Sequence, residues 1–189
     1  GCLYLKILVG SDTLAVYNCH LQSNKLKDTE ISEYHKFIKN PTDSTHYQAS
    51  RKVLKNLLES TSQRAVQARM IAERARKETA KYIIVCGDFN DTPDADSFTI
   101  IEGTLVNKGL QLHERGEGTI RYEGKWDLID MFMVSPSLAG ITRMEVCRIP
   151  FLMTWEKKHP GEKPLRTYSG PRYIGGVSDH CPIVLKIGL

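Results

Sequence analysis

The 189-residue chain contains no run of eighteen or more apolar residues, which excludes a membrane-spanning helix of ordinary length. Its five cysteines are odd in number and form no C-x-x-C pair, which argues against a zinc ribbon or a disulfide framework. Cys19, Cys86, Cys147 and Cys181 each sit beside or within apolar runs and read as buried free thiols. Neither sign of charge dominates. Lys and Arg number 26 against 22 Asp and Glu, and a net charge of +4 permits a polyanionic partner without demanding one. There is no G-x-S-x-G elbow, so Ser178, although beside Asp179 and His180, lacks the setting of a serine hydrolase. The opening Gly1-Cys2 has no initiator Met, and the expectation is that something upstream has been removed or never included. The compartment is therefore left open.

At 41% hydrophobic and 25% charged, the sequence is ordinary globular material of one domain's size. Its organising stretch is YIIVCGDFNDTP, Tyr82 to Pro93. The first five residues are apolar, uncharged and rich in β-branching, which suits a strand buried on both faces. Gly87 breaks that run, and Asp88, Asn90, Asp91 and Pro93 are turn formers. A strand that ends in Asp88 and Asn90 offers both polar groups on one face, with Phe89 directed into packing. Residues 2–9 and 13–19 read as a hairpin about Gly10-Ser11-Asp12. The second run ends in Asn18 and His20, again spaced by two.

Residues 24–46 are expected to be mostly a solvated loop, with helix around Glu30 to Ile38. Residues 47–79 repeat apolar positions at threes and fours, predicting a long helix that bends or divides near Thr61-Ser62. Its basic residues are expected on a solvated outer face. A short helix is predicted within Ser97 to Val106, a polar Gly-rich loop over 110–125, a core strand over Leu128 to Val134, and another over Val146 to Phe151. Residues 154–176 read as a basic loop with interleaved aromatics, and Ile183 to Ile187 as a terminal strand entered by Asp179 and His180. Asp130, set inside a core strand, needs a partner because an unpaired buried carboxylate is costly. A buried His is the natural choice.

Taken together and in order, NCHL, GDFND, LIDMFMVS and SDHCPI resemble the endonuclease/exonuclease/phosphatase, or DNase I-like, superfamily. Its members include DNase I-like nucleases, abasic-site endonucleases, sphingomyelinases and inositol polyphosphate 5-phosphatases. The resemblance spans the whole chain. It implies an α/β (α+β) fold, a β-sandwich flanked by helices in a four-layer αββα arrangement, here one domain (1–189) forming the C-terminal two-thirds. It also implies phosphodiester or phosphomonoester hydrolysis with Mg²⁺ or Mn²⁺. By resemblance, His180 is the base or transition-state stabiliser, Asp130 its partner, and Asp88 the group that orients or deprotonates water. Asn90 holds water or a phosphate oxygen, and His20 donates to a phosphate oxygen. Asn18, Asn90 and His20 would bind substrate, and Asp179 would approach the metal.

The family's principal metal-binding Glu is expected upstream of Gly1, in a segment holding further strands and a helix. The competing reading is a non-catalytic or partner-dependent fragment that keeps the phosphate cleft without that Glu. Such a piece is expected to self-associate, to pair with an N-terminal segment, or to keep an open face. The substrate stays open between nucleic acid, sugar phosphates and a phospholipid head group, with the 110–125 and 154–176 loops setting the choice.

Overall fold

The computed structural model describes residues 1–24, 26, 28–41 and 46–188. Strands β1 (Cys2–Val9) and β2 (Asp12–His20) form the expected antiparallel hairpin. Its two-residue loop places Gly10 at φ +62°, a left-handed conformation suited to a tight hairpin turn. Helix α1 (Asp28–Lys39) occupies more of the presumed loop than the sequence predicts and lies along α2 (Tyr47–Lys77). Residues 42–45 of that loop fall outside the described ones. The long helix α2 is unbroken at Thr61-Ser62, because both side chains stay exposed and leave the backbone ladder undisturbed.

Strand β3 (Tyr82–Asp88) follows, then a 3₁₀ turn at Asp96–Phe98, α3 (Thr99–Glu102), β4 (Val106–Asn107) and α4 (Leu110–Glu114). The 110–125 segment is more ordered than a loop. It contains α4 and β5 (Ile120–Tyr122), which turns into β6 (Lys125–Asp127). Glu123 and Gly124 both have positive φ, the signature of a type I′ hairpin that composition alone conceals. Next come β7 (Asp130–Val134), α5 (Pro136–Ala139) and β8 (Thr142–Val146). Asp130 opens β7 rather than sitting inside a strand.

The strand expected over Val146 to Phe151 is displaced: β8 ends at Val146, where Cys147 N–H donates to the Pro182 carbonyl. Pro182 has no N–H to return, and Pro150 begins a 3₁₀ turn, so the ladder stops. The 154–176 segment is likewise structured, holding β9 (Met153–Glu156) with β10 (Gly161–Pro164) and β11 (Tyr168–Ser169) with β12 (Arg172–Tyr173). Thr154 and Trp155 are good strand formers that the surrounding basic residues mask. The chain closes with β13 (Ile183–Ile187), antiparallel to β8.

The central sheet has five strands in the order β1-β2-β3-β7-β4, with only β2 and β3 parallel. One face receives α2, whose Ala68, Ile71, Ala72 and Ala75 pack with Ala15, Tyr17, Ile83 and Val85. Small alanines let the helix approach closely, and each fully buried Ile or Val adds roughly 1.5–3 kcal/mol. On the other face, Leu185 and Ile187 of β13 pack with Ile84, Val134 and Leu138. That cover reaches the β3–β7 half only. Toward β1, Leu3, Leu5 and Ile7 stand exposed on the same face, in register with Asn18, Val16 and Leu14. No helix among the described residues is long and apolar enough to cross a membrane.

Candidate active site

Register brings the first candidate residues together. His20 pairs with Asp88 across β2 and β3, and Asp88 pairs with Asp130 across β3 and β7. One rung at the carboxyl end of β3 therefore carries His20, Asp88 and Asp130 on the face away from α2. Asn18 lies one rung behind, exposed, with its Oδ1 directed at Gly87. Gly87 is required by space as well as by its φ of +122°: a Cβ there would sit 2.0 Å from the Cys19 carbonyl oxygen. The glycine of GDFND is thus what lets β2 and β3 converge at the rung.

The turn after β3 is anchored from beneath. Phe89 is fully buried and meets Phe98 edge-on, with ring centroids 5.5 Å apart. Asn90 adopts φ +53°, a turn conformation that Asn tolerates better than most residues. Its N–H donates to Asp88 Oδ1 at 2.8 Å and its amide Nδ2 to the Leu21 carbonyl at 3.1 Å. Asp91, nominally a turn former, accepts from Arg64 Nε at 2.9 Å and from Ser97. Arg64 is buried, unlike the solvated outer-face basic residues expected of α2, and it also binds the Gln22 carbonyl and Asn24. Its guanidinium fastens the β2 and β3 turns to the helix.

His180 arrives from the segment before β13, where it bridges Ile120 of β5. Its Nδ1 lies 2.8 Å from Asp130 Oδ2. The same oxygen accepts the Thr119 hydroxyl at 2.5 Å, and the Thr119 carbonyl accepts the Cys181 N–H at 2.7 Å. Fully buried, Thr119 joins β5, β7 and the His180 segment. A threonine between two glycine-rich stretches carries no periodic signal, and sequence reasoning missed it. Ligand atoms of Asp88, Asp130 and His180 all lie within 4.8 Å of one another. His20 Nε2 is 3.6 Å from Asp88 Oδ2 and largely exposed. Asp179 is not brought into this group. Its carboxylate is half exposed and faces Arg166 at 3.9 Å.

The electrostatics separate the members. Burial pushes the Asp88 carboxyl above its usual range, the Asn90 N–H pulls it back, and the negative charge of Asp130 raises it further. The hydrogen bond to Asp130 raises His180, outweighing burial, with Asp88 and Asp179 adding to the effect. Two neighbouring carboxylates with few donors favour a cation, and carboxylate oxygens suit a hard ion such as Mg²⁺ or Mn²⁺. Asp88 and Asp130 thus fit the metal that the sequence resemblance implies. The His180 ring, already engaged by Asp130, is better placed as a proton carrier than as a ligand.

With this geometry in hand, the comparisons decide the lineage. A family model described as "Endonuclease/Exonuclease/phosphatase family" matches residues 33–188. The chain belongs to this family. No curated protein matches it in sequence. Among solved structures, a beta toxin variant from Staphylococcus aureus with bound magnesium ions superposes with TM-score 0.52 at 17% identity, covering 100% of this chain and 58% of that one. Truncated TDP2 from Caenorhabditis elegans gives 0.52 at 11%, covering 98% and 58%. Sphingomyelinase C from Streptomyces griseocarneus gives 0.50 at 15%, covering 100% and 57%. These likenesses establish the DNase I-like fold of this endonuclease/exonuclease/phosphatase member, which spans under three-fifths of each of those structures.

Proposed function

We propose that this endonuclease/exonuclease/phosphatase family member hydrolyses phosphate esters with a divalent cation, Mg²⁺ or Mn²⁺. The observation that carries the reading is the rung His20–Asp88–Asp130, closed by His180 on Asp130 Oδ2. The cation, held by Asp88 and Asp130, would neutralise negative charge on the phosphoryl oxygens. The chain's own groups do the rest. Asp88, with one backbone donor in the Asn90 N–H, keeps carboxylate lone pairs free to orient the attacking water beside the cation. His180, kept protonated to higher pH by Asp130, donates from its free ring nitrogen to a phosphoryl oxygen as charge builds there. His20, exposed at the rung's edge, offers a second donor, and Asn90 fixes the turn that aims Asp88.

The substrates proposed are phosphodiesters or phosphomonoesters, with nucleic acid and phospholipid head groups as the two natural sources. The fold is shared with a sphingomyelinase, which supports the lipid class. The deciding experiment measures cleavage of bis(p-nitrophenyl) phosphate and p-nitrophenyl phosphate with Mg²⁺, Mn²⁺ or EDTA, beside His180→Ala. Metal-dependent turnover that falls by roughly 10²–10⁴ in the variant supports the assignment. Turnover indifferent to EDTA or to His180 sinks it.

A second reading is favoured by the uncovered face bearing Leu3, Leu5 and Ile7. In it, this chain binds phosphate but turns over only when that face is covered, by self-association or by another segment. Phosphate binding without turnover, followed by turnover on association, would favour that reading.

A further inference from the structure

Cys2 and Cys19 are seventeen positions apart in sequence but directly opposite one another in the β1–β2 ladder. Their neighbours, Gly1 and His20, exchange both backbone hydrogen bonds, Gly1 N to His20 O at 2.7 Å and His20 N to Gly1 O at 2.9 Å. In an antiparallel pair the next rung must then be of the non-hydrogen-bonded kind, in which opposed side chains approach most closely. The two sulfurs accordingly lie 3.2 Å apart. A non-hydrogen-bonded antiparallel pair holds its Cα atoms about 4.5 Å apart, within the roughly 4.4–6.8 Å that a disulfide spans.

The two thiols have different surroundings. Cys19 is buried, whereas Cys2 is exposed and lines an open cavity of about 380 Å³ with Tyr4, Met70 and Arg74. The S–H of Cys19 points to the Cys2 sulfur, so the buried thiol already faces the atom it would bond. Cys86 is not a competitor, because it pairs with Asn18 and so stands on the opposite face of the sheet.

We propose that Cys2 and Cys19 are a disulfide-forming site, oxidised by a small disulfide of the glutathione class. The Cys2 thiolate attacks one sulfur of glutathione disulfide, forming a mixed disulfide and releasing one glutathione thiolate. Cys19 then attacks the Cys2 sulfur and expels the second glutathione, which leaves with the Cys19 proton. Two protein thiols are oxidised by two electrons and one glutathione disulfide is reduced to two glutathiones. Arg74 in the cavity wall complements the carboxylates of the incoming peptide. The bond would tie the edge strand β1 to the residue preceding His20, at the base of the candidate rung.

The test equilibrates the whole chain in buffers of stepped glutathione redox ratio, quenches with acid, alkylates under denaturing conditions and measures mass. The expected product is about 2 Da lighter before alkylation, for the two hydrogens lost. It takes up label on three of its five cysteines. Trypsin should leave the peptide ending at Lys6 joined to the one ending at Lys25. Cys19→Ser should instead stop at glutathione on Cys2. Uptake of label on all five at every ratio would overturn the proposal, as would a stable glutathione adduct on Cys2 with Cys19 still free in the unsubstituted chain.

Discussion

Glu78 and Asp88 bracket β3, one before its first residue and one at its last, and both are carboxylates largely withdrawn from solvent. Glu78 collects five donors: the hydroxyls of Tyr4 and Tyr17 at 3.0 and 2.8 Å, Lys6 at 3.3 Å, and the N–H groups of Thr79 and Ala80. Burial alone would raise its carboxyl, but the hydrogen bonds of Tyr17, Ala80, Tyr4 and Lys6 together overcome that and hold it at about 2. Asp88 has one backbone donor, Asn90, and a like charge close by, and it is raised. A carboxylate whose lone pairs are filled by the fold is a fastener. One left short of donors is available to a ligand, and the two ends of one strand show both outcomes.

The sharpest way to break that contrast is Asp88→Asn. Turnover should fall by roughly 10²–10⁴, because the carboxylate proposed to hold the cation and orient water is gone. The melting temperature should hold or rise, since a group that folding holds in its less favoured charge state has been removed. A large fall in melting temperature would make Asp88 a fastener too. The mirror variant, Glu78→Ala, strands the Tyr17 hydroxyl and should cost about 2–3 kcal/mol in denaturant unfolding while leaving turnover per folded molecule unchanged. Its pH dependence has a fixed sign. With the folded carboxyl lowered from 4.5 to about 2, its contribution is fully present above pH 4.5 and is lost as pH falls toward 2. Glu78→Gln should therefore flatten the stability profile in that window, and an unaltered slope there would remove Glu78 from its assigned role.

The contrast was only half legible in the sequence. Asp88 announced itself because a charge-free β-branched run ending in Gly87 and a turn is a local pattern. Asp130 did so because a carboxylate read as lying inside a core strand demands a partner, although it in fact opens β7. His180 could be matched to it only through the order of motifs along the chain. Glu78 was invisible, since its side-chain donors, Tyr4, Lys6 and Tyr17, come from β1 and β2, more than sixty residues earlier, and no window spans that distance. The same holds for Arg64, whose place in an amphipathic helix resembles that of every solvated Arg around it until Asp91 and the Gln22 carbonyl close on it. Local periodicity reads elements; the satisfaction of a polar group is decided by register and topology. The displaced β8 belongs to a third category. Its end is set by Pro182, a missing donor on a partner strand that cannot be identified until the pairing is known.

Asp130 lies between the two extremes, with two donors converging on one oxygen, Thr119 at 2.5 Å and His180 at 2.8 Å. If Thr119 is a positioning residue, it fixes the carboxylate so that the His180 ring is aimed before substrate arrives. Thr119→Val keeps the volume and removes the donor. A hydrogen bond to a charged group is worth about 1.5–3 kcal/mol, of which His180 can recover part by drawing closer to the freed oxygen. The expected result is a kcat lower by about tenfold at unchanged KM, equivalent to about 1.4 kcal/mol of barrier. Thr119→Ser, which restores the hydroxyl and omits only the methyl group, should recover most of the rate. A Ser variant as slow as the Val variant would mean that packing of the methyl group, rather than the bond to Asp130, holds the site together.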